Sequence, residues 1–288
     1  MPETSALTAD LLARVRPGAA VAVALGAALG IQRKRPSGHY LASARSQASS
    51  APRSRSAGAP TGGGVAVVEI RGAMEQRESD TPCGQTCGYD GIERDIRAAV
   101  TDPGVSALVV DIDSPGGDEP GLDEGTVRMA KAIADAGKPV LVYSPSMLAS
   151  AAVYLALGIA TGGVFIHPSA RAGSVSSVVI FATQARKLAE AGTDVYVARG
   201  LPGKFDPNGV EPLSDLGKAR LDEHARACSE DFVLFVAAKL GIDPGVVRSW
   251  NADMFRGQAA VDVGLVAGLG TLDSVIAHAA TLATLGAP

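Results

Sequence analysis

Cysteine is scarce in this chain, with three residues in 288, at positions 83, 87 and 228. So few and so odd a set makes no disulfide framework, which excludes small stapled folds and points to a reducing compartment. A surplus of charge of one sign is missing too. Lys plus Arg number 26 and Asp plus Glu 30, a net of −4, so the protein as a whole exerts no pull on nucleic acid. The membrane is served little better. The stretch that invites the question, residues 17–32, is uncharged but only sixteen residues long and built of Ala, Gly and Val. A spanning helix needs about 20 predominantly apolar residues, and Ala and Gly insert less favourably than Leu or Ile. Arginines on both sides and a late start also disfavour a secretory signal. The stretch reads instead as a short Ala-rich helix packing on the domain or on a partner.

What the chain does have is core material. Hydrophobic residues make up 47% and charged residues 19%, inside the globular range and outside the disordered one. The length allows one or two domains. Charge placement supplies the first boundary: residues 1–64 hold eight basic and two acidic groups, or +6, and the remainder holds 18 basic and 28 acidic, or −10. Residues 36–64 are dominated by Ser, Ala, Gly, Pro and Arg, which bury too little apolar surface to offset ordering entropy. Residues 1–64 are therefore expected to be an Ala/Gly-rich segment and a flexible basic arm, and 65–280 a folded domain.

From position 65 short apolar runs alternate with longer amphipathic ones. Strands are predicted at 65–70, 105–112, 139–143, 164–166 and 195–198, and helices at 89–100, 122–136, 150–157, 182–191 and 213–240, with Pro244 opening another toward Trp250. Strands separated by helices imply parallel crossovers and an α/β fold.

Chemistry gathers at the strand ends. The apolar strand through 112 runs into Ser114-Pro-Gly-Gly117, where Gly116 and Gly117 let backbone N–H groups approach a ligand. The same pattern also suits an ordinary tight turn. One strand later Ser150 falls where a small-residue helix begins. The N–H of Ala151 and the helix dipole there would face a developing negative charge, although a helix-start serine is also the usual N-cap. Bases within sequence reach are His167, His224 and Lys204. His167 precedes a turn and suits either a Ser-His-Asp set or a surface role. Lys204, in a loop rich in Gly, Pro and Asn, serves as a base only if burial lowers its pKa from about 10.4.

Together these segments resemble the serine peptidase family of signal peptide peptidase A, and within it the bacteriophage head-maturation (capsid assembly) branch. The resemblance covers residues 65–275 in order: Tyr89-Asp-Gly-Ile92, Ser114-Pro-Gly-Gly117, Met147 to Ala156 with Ser150 at the nucleophile, Arg171-Ala-Gly-Ser-Val175, Gly203-Lys-Phe-Asp-Pro-Asn208 with Glu211-Pro-Leu213 after it, and Phe255 to Leu265. It implies a ClpP/crotonase-like fold of stacked ββα units. It also implies a Ser-Lys dyad of Ser150 and Lys204, an oxyanion hole from Gly116 or Gly117 with Ala151, and a substrate groove at Gly173 and Ser174. No histidine is required, which leaves His167 a structural role. No cofactor and no metal are implied. The partners implied are protein or peptide substrates, drawn from capsid assembly, and further copies in a ring-like homo-oligomer whose active site a neighbouring subunit completes. Nucleic acid and membrane are not among them, and the setting implied is the host cytoplasm or procapsid interior. The chain departs from the family where Ala151-Ala152 replaces the usual Gly-Gly, which predicts a tighter pocket, and where residues 171–177 lack a second glycine.

Three other readings stand beside this one: a membrane-associated signal peptide peptidase anchored by residues 17–32, a catalytically quiet assembly scaffold, and a crotonase-like acyl-CoA enzyme. The acyl-CoA reading lacks an identifiable carboxylate or CoA-binding set. Cys83, Cys87, His224 and Cys228 form a zinc set only on paper. Their C-x3-C and H-x3-C spacings are looser than C-x2-C, so free thiols are expected.

Overall fold

The computed structural model describes residues 64–77 and 87–286, with the backbone of short strands at 55–56, 80–81 and 84–85. Residues 17–32, Cys83 and the basic arm apart from the backbone of 55–56 and residue 64 lie outside the described residues. The described residues divide into two compact units, one comprising Val178–Ala227 and the other the described residues up to Ser177 together with those from Cys228 onward.

The larger unit is mixed α/β. Its strands and helices in chain order are β1 (Arg55–Ser56), β2 (Gly64–Arg71), β3 (Met74–Glu75), β4 (Asp80–Thr81), β5 (Gly84–Gln85), β6 (Cys87–Gly88), α1 (Tyr89–Thr101), β7 (Val105–Asp113), α2 (Leu122–Ala136), β8 (Val140–Ser144), β9 (Met147–Ala149), α3 (Ala151–Ile159), β10 (Val164–Ile166) and β11 (Arg171–Gly173). The chain then passes through the smaller unit, with α4 (Ala185–Glu190), and returns along α5 (Asp215–Leu240). It closes with α6 (Pro244–Ser249), β12 (Met254–Arg256), α7 (Gln258–Asp262), β13 (Gly268–Leu269) and α8 (Leu272–Leu285).

The main sheet has the order β1-β2-β7-β8-β10-β13. Only β1 runs antiparallel to its neighbour; β2, β7, β8, β10 and β13 are parallel. Strand alternation gives the sheet two buried faces. Ala66, Val68, Leu108, Val110, Val140 and Val142 pack with apolar residues of α1, α2, α3 and α5. Their neighbours Val65, Val67, Ala107, Val109 and Leu141 pack against Val275 and Ala279 of α8. Strands covered on both faces read as near-continuous apolar runs, and these do.

Helix α3 is apolar on every side and almost wholly buried, as a helix covered all round must be. Its Tyr154 stacks on Phe235 of α5 with ring centroids 3.6 Å apart and donates to Asp123 Oδ1 at 2.7 Å. Gly158 makes a close approach to α2, where an added Cβ would come 2.1 Å from the Thr126 methyl. Gly158→Val is therefore expected to cost about 1–3 kcal/mol through overpacking, read as a lowered thermal midpoint. An unchanged midpoint would contradict this contact. No helix among the described residues is long and apolar enough to cross a membrane.

Two predicted elements differ in the smaller unit. The helix expected over 182–191 is confined to Ala185–Glu190, with none of its residues buried. The strand expected over 195–198 does not form: the segment belongs to no sheet, and Tyr196 is 91% exposed. The β-branched and aromatic residues there favour a strand only where a neighbouring strand supplies a ladder. Side chains hold this unit instead.

Candidate active site

A second, smaller layer of backbone pairing builds the site beyond the ends of the main strands. Strands β12, β11 and β9 form a three-stranded sheet. Its β9 edge is bridged to the exit of β7, with the Ser114 N–H donating to Met147 O at 2.9 Å and the Ala149 N–H to Ser114 O at 3.1 Å. The Met147 N–H also donates to Asp113 Oδ1 at 3.1 Å. On its other side the same exit pairs with β3: Met74 N–H donates to Gly116 O and Asp118 N–H to Met74 O, both at 2.9 Å.

Ser150 occupies the N-cap position of α3, yet its side chain makes no capping hydrogen bond. Its backbone explains why. At φ 54° and ψ −123° the residue lies in a region that non-glycine residues seldom enter, at a cost of about 1–3 kcal/mol. Several bonds fix it there: its N–H donates to Gly173 O at 2.9 Å, and its carbonyl accepts from Val153 at 2.8 Å and Tyr154 at 3.2 Å. Strain that the surroundings over-determine is characteristic of functional positions. The hydroxyl is thereby turned away from the job that helix-start serines usually do.

The two glycines of the turn have different tasks. Gly116, at φ 99°, lies against the nucleophile segment, and an added Cβ would come 2.7 Å from Ser150 Cβ and 2.8 Å from Ala149 O. Its N–H is already engaged, donating to the buried Ser114 Oγ at 3.1 Å. Gly117 is clamped by Met74, whose carbonyl oxygen would lie 1.8 Å from an added Cβ. In a parallel bridge of this kind the bonds to Met74 come from the residues on either side of Gly117. The N–H of Gly117 itself therefore points away from Met74. The first N–H groups of α3, beginning with Ala151, have no intrahelical acceptor. Their dipole end is favourable to negative charge.

Gly173 and Ser174 flank this arrangement. Besides bonding Ser150 through Gly173 O, the pair is held at the start of β12: the Ser174 N–H donates to Asp253 O, just before the strand, at 3.0 Å, Gly173 is opposite Met254, and the preceding Ala172 is opposite Phe255. The closing motif noted at residues 255–265 thus braces the segment beside the nucleophile. His167 is bound into its own turn, with Nδ1 2.7 Å from Ser169 Oγ. The Cys87 thiol donates to Arg71 O at 3.0 Å and that of Cys228 to Glu119 Oε2 at 3.3 Å. Burial foremost, with the Glu119 carboxylate beside it, pushes the Cys228 thiol up to about 11, so it is not poised as a thiolate nucleophile.

Lys204 belongs to the smaller unit, on an exposed loop. That loop is tightly cross-linked. Arg199 donates to the Lys204 carbonyl at 2.9 Å and pairs with Glu211. The buried Asn208 donates to Phe205 O at 2.9 Å and to Glu211 Oε2 at 2.6 Å, and its own oxygen accepts from the N–H groups of Val210 and Glu211. Arg220 donates to Gly203 O at 2.7 Å and Asp206 O at 2.9 Å. The Gly-Lys-Phe-Asp-Pro-Asn motif is thus a rigid platform whose bonds leave the lysine side chain out.

Sequence reasoning missed Met74 and Ser114. Met74 acts through its backbone, which leaves no trace in residue type, and Ser114 was visible only as part of the turn.

Comparison with known proteins assigns the class. The family model of peptidase family S49 matches residues 132–286, and the chain belongs to that family. Among its relatives, the Head-tail preconnector protein GP5 of Enterobacteria phage P21 is 28% identical over 203 residues, which cover 70% of this chain and 40% of the relative. The Capsid assembly protease C of Escherichia phage lambda is 28% identical over 205 residues, 70% of this chain and 45% of that protein. Protease 4 of Salmonella typhi is 29% identical over 237 residues, covering 79% and 36% respectively. The chain thus aligns with less than half the length of each of these relatives.

Proposed function

We propose that the protein is a serine endopeptidase that processes capsid, scaffold or portal proteins during phage head maturation. Ser150 is the nucleophile and Lys204, exposed in the single chain, the general base once bound substrate or a neighbouring copy covers it and favours its neutral form. Lys204 takes the Ser150 proton as Oγ attacks the scissile carbonyl, the N–H groups of Gly117 and Ala151 hold the oxyanion, and the proton passes to the leaving amine. Water, deprotonated by the same lysine, then attacks the ester and releases the second product. Gly116 contributes space rather than a donor, because its N–H is bonded to Ser114 Oγ. Gly173 and Ser174 border the substrate groove.

The observation that carries this reading is the backbone of Ser150, which sits in a strained conformation at a helix N-terminus and caps nothing. Family membership and the two phage relatives support the substrate class. The parallel sheet with a second layer of short strands at its ends supports the ClpP/crotonase-type reading of the fold; we also take the protein to act as a homo-oligomer in the host cytoplasm or procapsid, a setting that rests on the phage relatives.

The test is hydrolysis of casein by the full chain and by Ser150→Ala. Wild type is expected to cleave it, and the variant to lose at least about 10³-fold in rate, the scale set by losing a nucleophile. Equal cleavage by the two would overturn the assignment.

A further inference from the structure

An ion pair at the ends of β2 and β7 has no part in the chemistry above. Asp111 is 3% exposed and is bound by Arg71, the last residue of β2. Arg71 Nη2 donates to Asp111 Oδ2, and Nη1 donates to the Asp111 carbonyl at 2.6 Å and the Ile70 carbonyl at 3.2 Å. Asp111 Oδ1 is buried without a hydrogen-bond partner. Burial pushes this carboxyl up, with Arg71 opposing and Glu69 and Asp113 adding to the rise. The carboxylate is buried and half-satisfied while the Arg71 side chain is 42% exposed, an arrangement that is a poor source of stability because the desolvated carboxylate is only partly compensated. The pair calls for another explanation.

Its place in the fold supplies one. Three residues beyond Arg71 comes Met74, the clamp on Gly117; three residues beyond Asp111 comes Ser114, the first residue of the glycine turn. Past the pair, the two exits are joined by three backbone bonds of 2.9 Å: Gly72 N–H to Asp113 O, Met74 N–H to Gly116 O, and Asp118 N–H to Met74 O. We infer that Arg71 and Asp111 are a positioning pair that fixes the spacing of these exits and so aims the Gly117 N–H. This rests on the peptidase reading. Arginine suits the role because its planar fork holds a carboxylate and two carbonyls at once, which a lysine ammonium does not reproduce. A small displacement of an oxyanion donor is expensive, since about 1 Å of misplacement can remove 10²-fold in rate.

Two variants of the full chain test the inference: Arg71→Met/Asp111→Leu, which removes both charges, and Arg71→Lys, which keeps the charge without the fork. Each is followed by the rate at which a fluorophosphonate labels Ser150 and by amide hydrogen exchange across residues 114–118. The double variant is expected to melt no lower than wild type, yet to label about tenfold more slowly or worse and to exchange faster across the turn. Arg71→Lys is expected to move both readouts in the same direction. Wild-type labelling and exchange in either variant would overturn the positioning role. A wild type that takes up no probe would overturn the peptidase reading instead, and exchange across the turn would still decide what the pair does.

Discussion

Replacing Gly117 with alanine is expected to lower turnover on a peptide substrate by about 10²–10³-fold, the loss that follows removal of one oxyanion donor. The added methyl would fall 1.8 Å from the Met74 carbonyl oxygen and 2.6 Å from its carbon. Both are rigid backbone atoms, so no side chain can rotate out of the way. Either the bridge to β3 opens or the turn rotates, and in both cases the Gly117 N–H leaves its aim. A donor that meets charge only in the transition state contributes mainly to kcat. KM should therefore change much less than kcat. Steady-state kinetics, with circular dichroism to show that the variant folds, checks this. Wild-type kcat in a folded Gly117→Ala would exclude the Gly117 N–H from the oxyanion hole.

Lys204→Met is expected to cost about 10²–10⁴-fold in kcat, the range for a positioned general base. The variant should fold like wild type, because the platform around it is held by Arg199, Glu211, Asn208 and Arg220 and not by the lysine side chain. Met keeps the length and apolar character of the lysine stem while removing the amine. His167→Ala should leave the rate close to wild type, since its ring serves Ser169 in a local turn. A fall for His167→Ala with full activity in Lys204→Met would reverse the assignment of the base.

Much of the main sheet was legible in the sequence because its strands are buried on both faces. The runs at Ala107–Val110 and Val164–Ile166 are apolar throughout, the first followed by Asp111 and the second preceded by Gly163. Helix α2 matches its predicted bounds of 122–136 because its buried Leu122, Met129 and Ile133 recur at helical spacing. The small layer was not legible. Strands β9, β11 and β12 are three residues each, too short for any period to register. Their pairing joins Met147 to Arg171 and Arg171 to Arg256, partners that nothing local in the sequence connects. The opposite error occurred at Val195 and Tyr196, where a strand-like composition has no neighbouring strand to complete it. Ser150 shows the same limit at the site. Its residue type fits an N-cap equally well, and only the backbone dihedrals separate a capping serine from one whose hydroxyl caps nothing.

The most direct test of the central claim is to treat the full chain with a fluorophosphonate probe and locate the adduct by peptide mass mapping. The expected result is one adduct per chain on Ser150, absent from Ser150→Ala and formed far more slowly in Lys204→Met. Modification of a different serine, or equal labelling of Ser150→Ala, would contradict the account.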